Sequence, residues 1–329
     1  MAEKKRNTDF TAKELLTEKR YDFSGFISLT IVRILFFSLL LLLFLLLGKI
    51  FIEGIGVISP EFLFEAPSGN MGEGGIGPAI FGTLVVTLLM VFFAVPVGVF
   101  SAIYLNEYGS ENLFKRIIRA SVNNLAGVPS IVFGLFGLGF FILFVGRGID
   151  DILNTGLFLG QPAMLWASST LAVLVLPIVI VSTLEALNSV PKSHREASLG
   201  LGATKWQTIK NVVLPQARPG ILTGTILAIS RGAGETAPIL FLGVAFFLPT
   251  LPVTYINLGL FYIPMINPAE QVMYLAYHIF ILATQSANPT LTRPFQYGTT
   301  LVLISLTFLL NLTAIIFRYR FRKVLGKIS

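Results

Sequence analysis

Charged residues are scarce in this sequence, and their scarcity excludes an ordinary water-soluble domain. Only 12% of the 329 residues are charged, 54% are hydrophobic, and the mean hydropathy is +0.79. A soluble globular domain carries about 25% charged residues. This chain therefore lacks the charge needed to cover a water-facing surface, and its composition predicts a protein embedded in a membrane.

Cysteine is absent, and catalytic motifs are missing as well. Without cysteine, disulfides and thiolate metal sites are excluded. The sequence contains no G-x-x-x-x-G-K-[ST] phosphate-binding loop, no H-E-x-x-H zinc motif and no G-x-S-x-G elbow. Its 2 histidines are far apart. We therefore expect no enzyme, no cofactor and no metal site, so that any ATP hydrolysis driving this protein takes place in another subunit.

Long apolar runs are abundant. A membrane-spanning helix needs about 20 predominantly apolar residues. Six runs of that length occur, at 27–48, 80–105, 122–146, 163–187, 219–247 and 299–318. They predict an all-α fold, a polytopic membrane bundle of six transmembrane helices. We expect the domain organisation to be a cytoplasmic segment over 1–26, a transmembrane domain over 27–318 and a basic tail over 319–329.

Basic residues are distributed unevenly between alternate connections. The N-terminal segment through Arg33, the loops 106–121 and 188–218, and the C-terminal tail together hold 20 of the 24 Lys and Arg residues. The alternate connections hold only 3, and Arg231 lies within a span. Loops rich in Lys and Arg stay on the cytoplasmic side. Both termini are therefore predicted to be cytoplasmic.

A shorter apolar run, EQVMYLAYHIFILA, covers 270–283. It is too short to span and is followed by the breaker SANPT. We expect a short helix at the outer interface, with His278 as a structural residue. A seventh span at this place would put the basic tail outside.

The loop over 191–218 carries helix signals of its own. Ser193-x-x-Glu196 and Thr204-x-x-Gln207 both have the form of a capping box. Glycines at 200 and 202 separate them, and prolines at 215 and 219 follow. The pattern predicts a helix, a glycine turn and a second helix that ends before the prolines. A connection between two spans needs only about 2 to 8 residues, so this longer loop is interpreted as a docking surface, although an ordinary amphipathic loop is the alternative.

The same loop resembles the E-A-A-x-x-x-G signature, with its following I-x-L-P, of ABC importer permeases. The residues in register with that signature are Glu196, Ala197, Gly202, Leu214 and Pro215. Ser198 and Val212 replace the usual alanine and isoleucine. The resemblance implies a MetI-like fold and a coupling role for these five residues in a groove of the ATPase subunit. It also implies that the glycine lets two short helices cross closely, and that the chain lies in the cytoplasmic (inner) membrane of a bacterium or archaeon.

Further stretches resemble phosphate importer permeases of the PstA type. They are NLAGVPSIVFGLFG (124–137), ARPGILTGTILAISRGAGETAPILF (217–241) and LPVTYI (251–256). The resemblance implies phosphate as substrate and three kinds of partner besides membrane lipid: a PstC-type sister permease, two PstB-type ATP-binding subunits and an extracytoplasmic PstS-type phosphate-binding protein. Nothing indicates nucleic acid. A sulfate or molybdate permease, or the PstC-type sister itself, is the alternative.

Two charged residues, Arg231 and Glu235, lie four positions apart inside the fifth apolar run. In a helix that begins at Pro219, Arg231 lies about 18 Å along the axis, with Glu235 one turn further on. That depth is near the middle of a core about 30 Å thick. A guanidinium offers planar donors suited to phosphate oxygens. We expect Arg231, Glu235 and Ser130 to belong to the substrate pathway; the alternative is an Arg–Glu pair that only neutralises itself and fixes helix packing.

Two other classes of protein remain open at this point. A secondary carrier would use Glu235 as a proton relay, and its transport would persist without ATP. A membrane scaffold or sensor subunit would transport nothing, and Arg231 would be dispensable in it.

The predicted topology can be tested with single cysteines, because the chain has none. We expect cysteines that replace Gly69 and Asn288 to react with an impermeant thiol reagent added from outside, since both lie in connections poor in basic residues. A cysteine that replaces Ser329 should react only after the membrane is opened. Labelling of that cysteine from outside in intact cells would contradict the six-span arrangement.

Overall fold

A computed structural model describes residues 23–68, 72–109, 112–257 and 262–325. Most of the predicted segment 1–26, the last four residues of the tail, and the labelling positions Gly69 and Ser329 lie outside the described residues. The chain divides into two compact units, Met1–Ile50 and Phe51–Ser329. The first span begins in the former unit, and the remaining elements belong to the latter.

Within the described residues, six helical segments are long and apolar enough to cross a membrane, which agrees with the predicted number of spans. We number them first to sixth in chain order: Gly25–Val57, Gly77–Tyr108, Ser130–Leu153, Met164–Asn188, Lys205–Gly232 and Pro289–Arg320.

The spans are built from α-helices, some of them joined through π-helical turns. The α-helices are Phe23–Gly54, Pro60–Phe64, Gly77–Ile103, Leu113–Leu125, Ser130–Gly137, Arg147–Leu153, Met164–Asn188, Lys192–Gly200, Lys205–Thr208, Leu214–Gly232, Leu275–Thr284 and Pro289–Leu325. The π-helical segments are Tyr104–Tyr108, Leu138–Gly146 and Ile209–Val213, and the 3-10 helices are Ile55–Val57 and Ala237–Ile239.

Between the fifth and sixth spans, the residues that the structure describes include four short strands. They are β1 (Val244–Ala245), β2 (Val253–Asn257), β3 (Tyr262–Ile266) and β4 (Val272–Met273). β2 and β3 form an antiparallel ribbon with Val253 opposite Ile266, and β1 and β4 pair in parallel. The parallel pair joins β1, which follows the fifth span, to β4, which precedes the sixth span.

The fourth span lies at the centre of the larger unit. Fifteen of its 25 residues are buried, as expected for a helix that is apolar on every side. Small residues bring its neighbours close: Gly98 of the second span packs on Val179, and Gly224 of the fifth span packs on Ser182. The second and fifth spans therefore lie against the fourth.

The third span begins later than its hydropathy predicts. Residues 122–125 belong to a separate helix, Leu113–Leu125, whose N-terminus is capped by the Asn112 side chain, which accepts from the Lys115 N–H at 3.0 Å. The spanning helix begins only at Ser130, after Pro129. A residue before proline is disfavoured in helical conformation, so the chain breaks there even though the apolar run continues.

The fifth span also differs from the predicted range of 219–247. Helical structure is continuous from Lys205 to Gly232, so the prediction that the loop helix ends before Pro215 is wrong. Pro215 lies in the first turn of the α-helical part, where a missing N–H costs least. The helix stops at Gly232, because a Gly-Ala-Gly sequence and then Pro238 follow.

The short helix predicted within 270–283 is present as Leu275–Thr284, preceded by β4. Leu275, His278 and Ile281 are buried, so one face of this helix packs inside the protein. Burial lowers the pKa of the His278 imidazole, and its Nδ1 lies 2.7 Å from the Phe246 carbonyl oxygen. These contacts agree with a structural role for His278.

Candidate functional site

Arg231 lies in the last turn of the fifth-span helix, whereas Glu235 lies beyond its end. The expectation that Glu235 lies one turn further along the same helix is therefore wrong. The helix turns after Gly232, and the Glu235 N–H donates to the Gly232 carbonyl at 3.3 Å. This turn folds Glu235 back towards Arg231, so the two side chains meet without a continuous helix.

Tyr274 satisfies the carbonyl groups at this helix end. Its hydroxyl lies 3.2 Å from the Gly232 oxygen and 3.0 Å from the Ala233 oxygen, and its side chain is fully buried. The last carbonyls of a helix have no partner within the helix. Burial raises the pKa of the Tyr274 phenol, so the group keeps its proton and donates. Arg231 is thus not needed to cap its own helix.

Gly232 allows the second span to approach the helix end. A Cβ atom at this position would overlap the Met90 sulfur. Met90 is fully buried in the second span. With glycine at this position the Met90 side chain lies directly against the backbone, so the residue next to Arg231 contacts the second span.

The Arg231–Glu235 pair is loose. Arg231 Nε lies 3.6 Å from Glu235 Oε1, and the side chains are 36% and 23% exposed. That distance is too long for a hydrogen bond. Arg231 makes no other side-chain contact of this kind within the described part of the chain. Most of its donors therefore remain available to a further group.

Ser130 begins the third span, and its hydroxyl makes no hydrogen bond to either charged side chain among the described residues. One turn further on, a Cβ atom at Gly134 would lie 3.0 Å from the Pro238 oxygen. The stretches 124–137 and 217–241, separated in sequence, thus pack against each other. The third-span helix that begins at Ser130 therefore packs near the segment after Arg231, but no hydrogen bond joins Ser130 to Arg231 among the described residues.

A polar pair beside Arg231 has no clear signal in the sequence. Ser230 is exposed, and its hydroxyl donates to Asn311 Oδ1 of the sixth span at 2.9 Å. The two residues are 81 positions apart. Polar groups that face out of membrane helices are expensive, and a search for polar residues within the apolar runs would have found them singly but not as a pair.

The loop between the fourth and fifth spans has the predicted order of helix, glycine turn and helix. The capping box of Thr204 and Gln207 is confirmed, with both reciprocal bonds present. The predicted box of Ser193 and Glu196 is wrong, because the helix begins at Lys192 without a side-chain cap.

The family model for the inner membrane component of binding-protein-dependent transport systems matches residues 94–326. The chain belongs to this family. It is 32% identical over 267 residues to a probable ABC transporter permease, YqgI, of Bacillus subtilis, covering 79% of this chain and 83% of the relative. It is 42% identical over 169 residues to the phosphate transport system permease PstA of Mycobacterium leprae. That match spans 51% of each chain, about half the length of the relative.

Solved structures with the same fold are also permeases of ABC importers. A bacterial ABC transporter involved in alginate import is similar with a TM-score of 0.62 at 16% identity, over 90% of this chain and 96% of the other. The MetNI methionine transporter in an inward-facing conformation matches with a TM-score of 0.54 at 18% identity, over 74% and 94%. At these identities the likeness shows the fold alone. The MetI-like fold is confirmed, and the chain is a multi-pass inner-membrane permease.

The five signature residues of this permease do not form one surface. Glu196, Ala197 and Gly202 are exposed around the glycine turn. Leu214 and Pro215 lie in the fifth-span helix, half-buried, and Leu214 packs on the apolar cluster at this end of the bundle. Leu214 and Pro215 therefore contribute to the packing beneath the loop more than to its exposed surface.

Three apolar residues at the tip of the loop were missed by the signature. Leu199, Leu201 and Trp206 are exposed by 48%, 89% and 47% on either side of the glycine turn. The Leu201 side chain is almost completely open. Large apolar groups presented together on a charged loop are typical of an interaction surface.

Gly202 is required by its backbone and not by close packing. Its φ is +87°, and a Cβ atom there would meet nothing within 4 Å. The implied close crossing of two helices at this glycine is therefore not what the structure contains. Residues other than glycine lose about 1–2 kcal/mol in the left-handed region.

We expect Gly202→Ala to weaken ATP-driven uptake because the left-handed turn resists an alanine. Gly200→Ala is the matched control, since Gly200 also has open space around a Cβ atom but ends a helix without a positive φ. Uptake by the two variants, normalised to the amount of protein in the membrane, provides the measurement. Equal uptake by both variants would show that turn geometry is unimportant.

Proposed function

We propose that this permease carries inorganic phosphate as half of the translocation pathway of an ATP-driven importer, with Arg231 as the anion ligand. The observation that carries the proposal is the open guanidinium of Arg231 at a helix end within the bundle. An anion that leaves water needs donors that replace its hydration. A partly exposed arginine with one loose contact can supply them.

A second arginine in the same chain shows the alternative arrangement. Arg195 is 17% exposed, and its donors reach Glu107 at 2.9 Å and two backbone carbonyls. That is how an arginine is held when it serves the fold, through short charge-assisted bonds. Among the described residues, the one ion pair of Arg231 is its 3.6 Å approach to Glu235. The contrast favours a ligand-binding role over a pair that only fixes packing.

Glu235 adds selectivity in this proposal. Phosphate keeps at least one proton at neutral pH, whereas sulfate keeps none. A carboxylate accepts a hydrogen bond from the protonated oxyanion and repels an anion that has no proton to donate. Its position near Arg231 also prevents the guanidinium from holding an anion too tightly, which transport requires. The pair therefore favours phosphate over sulfate or molybdate.

The relatives named as phosphate permeases support the substrate, although the matches to them span about half of their length. We infer the rest of the assembly from the same resemblance. A PstC-type sister permease completes the pathway, two PstB-type subunits hydrolyse ATP and a PstS-type protein delivers phosphate. Both termini and the loop over 191–218 face the cytoplasm in this arrangement.

The ATPase docking surface is the tip of that loop. We assign it to the exposed residues Glu196, Ala197, Leu199, Leu201 and Trp206. The apolar members fill a groove on the ATPase subunit, and the carboxylate pairs with a basic group at its edge. Buried apolar and aromatic side chains supply most of the energy in such interfaces.

We expect Arg231→Gln to lower phosphate uptake by about 100-fold or more, because the variant loses a charge-assisted hydrogen bond to the anion. Arg231→Lys should retain part of the activity, because a point charge replaces a planar fork. Uptake of labelled phosphate into proteoliposomes that contain the whole complex, ATP and loaded binding protein is the measurement. Arg293→Gln, which removes an exposed charge near the start of the sixth-span helix, is the control. An active Arg231→Gln transporter would reject the pathway.

Glu235→Gln separates selectivity from charge balance. If Glu235 accepts the phosphate proton, the variant should shift the ratio of phosphate to sulfate by about tenfold towards sulfate, the value of one hydrogen bond to a charged group. ATPase activity with binding proteins loaded with either anion reports this ratio. Glu185→Gln, which neutralises an exposed carboxylate near the end of the fourth span, should leave it unchanged. A lower activity at an unchanged ratio in Glu235→Gln would mean that Glu235 only balances Arg231.

A further inference from the structure

We propose that Arg195 is a positioning residue that joins the first loop helix, Lys192–Gly200, to the ends of the second and fourth spans. Movement of the loop would then be transmitted to both spans. We call this set of contacts the loop joint, formed by Arg195, Glu107, Leu187 and Val190. The inference rests on the proposed docking of the loop to an ATPase.

One side of the Arg195 guanidinium binds two backbone carbonyls at the end of the fourth span. Its Nη1 donates to the Val190 carbonyl at 2.6 Å, and its Nη2 donates to the Leu187 carbonyl at 2.8 Å. The fourth span ends at Asn188, so Leu187 lies in its last turn and Val190 lies just beyond it. The Leu187 oxygen also accepts from the Val190 N–H at 3.3 Å, and Arg195 adds a charged donor to this turn. A cation at a helix C-terminus also interacts favourably with the helix dipole.

The other side of the guanidinium binds the second span. Its Nε and Nη2 donate to Glu107 Oε1 at 3.2 and 2.9 Å. Glu107 is 11% exposed and lies in the π-helical turn Tyr104–Tyr108, which ends this span. When one member of such a shielded pair is removed, the other charge loses its partner, which costs more than the pair itself contributes.

The second loop helix, Lys205–Thr208, holds the same π-helical turn. Lys205 Nζ lies 4.9 Å from the centre of the Tyr108 ring, a cation–π contact. The two loop helices are themselves joined by a hydrogen bond of 2.9 Å between the hydroxyls of Ser198 and Thr208. Both helices of the loop therefore hold the end of the second span.

The second span connects the loop joint with the Arg231 site. Met90, which lies against Gly232, precedes Glu107 by 17 positions in this span. The separation corresponds to about 25 Å of helix. Thr83 of the same span accepts a hydrogen bond from the Leu275 N–H at 2.9 Å, next to the Tyr274 that caps the Arg231 helix. A displacement applied at Glu107 reaches the Arg231 site through one packed helix.

The test compares coupling with assembly in the purified complex of both permeases, ATPase subunits and binding protein. We expect Arg195→Gln to assemble and hydrolyse ATP but to lower the phosphate taken up per ATP hydrolysed by about tenfold or more. Arg195→Lys should restore part of this ratio, because an ammonium replaces some of the donors. Arg116→Gln, which removes an exposed charge from the helix Leu113–Leu125, is the control and should keep the wild-type ratio.

A readout that needs no phosphate separates this proposal from the identity of the substrate. A cysteine that replaces the exposed Ser230 should change its reactivity towards a thiol reagent when ATP binds. We expect Arg195→Gln to abolish that change although ATP is still hydrolysed. If wild-type complex carries no phosphate but the change at position 230 still depends on Arg195, the loop joint stands and the substrate assignment falls.

Glu107→Gln provides a second variant, since it leaves the two carbonyl bonds of Arg195 in place and is the safer one for folding. It should lower the coupling ratio in the same direction. A wild-type ratio in both Arg195→Gln and Glu107→Gln would overturn the proposal. Parallel loss of hydrolysis and uptake at an unchanged ratio, or failure of Arg195→Gln to assemble while Glu107→Gln couples normally, would also overturn it and leave only a role in stability.

Discussion

The end of the fifth-span helix inside the bundle is the constraint on which the surroundings of Arg231 depend. A helix that ends away from water leaves carbonyl groups without partners, and each would be costly in apolar surroundings. Here Tyr274 reaches two of them from the segment before the sixth span. Because the Tyr274 hydroxyl donates to these carbonyls, Arg231 is not needed as their hydrogen-bond donor. The turn after Gly232 then brings Glu235 back beside it.

Two arginines of the same chain are used in opposite ways. Arg195 donates to two backbone carbonyls and a carboxylate, and its side chain is mostly shielded from solvent. Arg231 is more exposed and touches a single carboxylate at a longer distance. A guanidinium cannot lose its charge at any pH that a protein meets, so its unpaired donors need another partner. The difference lies in the surroundings of each side chain, and composition alone would have treated the two residues alike.

The spans could be predicted from the sequence because length and hydropathy determine whether a helix crosses a membrane. Their limits could not, since hydropathy does not register turns: the third span starts at Ser130 and the fifth helix stops at Gly232, within runs that remain apolar. The capping box of Thr204 and Gln207 was predictable because its partners are three residues apart. The box expected at Ser193 failed because Pro191 already starts that helix.

Contacts between residues far apart in the chain could not be predicted from the sequence. Arg195 and Glu107 are 88 positions apart, and Tyr274 is 42 positions from Gly232. Each of these contacts depends on how spans pack, which no local pattern encodes. The charges Arg231 and Glu235 were identified because charge within an apolar run is itself a signal. Their pairing through a turn, instead of along a helix, was visible only in the structure.

Two continuous routes lead from the loop to Arg231, and they constrain each other. One is the helix that runs unbroken from Lys205 to Gly232 and carries Arg231 in its last turn. The other is the second span, held at Glu107 by the loop and packed at Met90 against Gly232. Because both routes begin at the same loop and end at the same glycine, the helices cannot slide independently without breaking contacts at one end. A shift of either helix would therefore move Arg231 or separate Met90 from Gly232, and either change would alter the surroundings of the guanidinium.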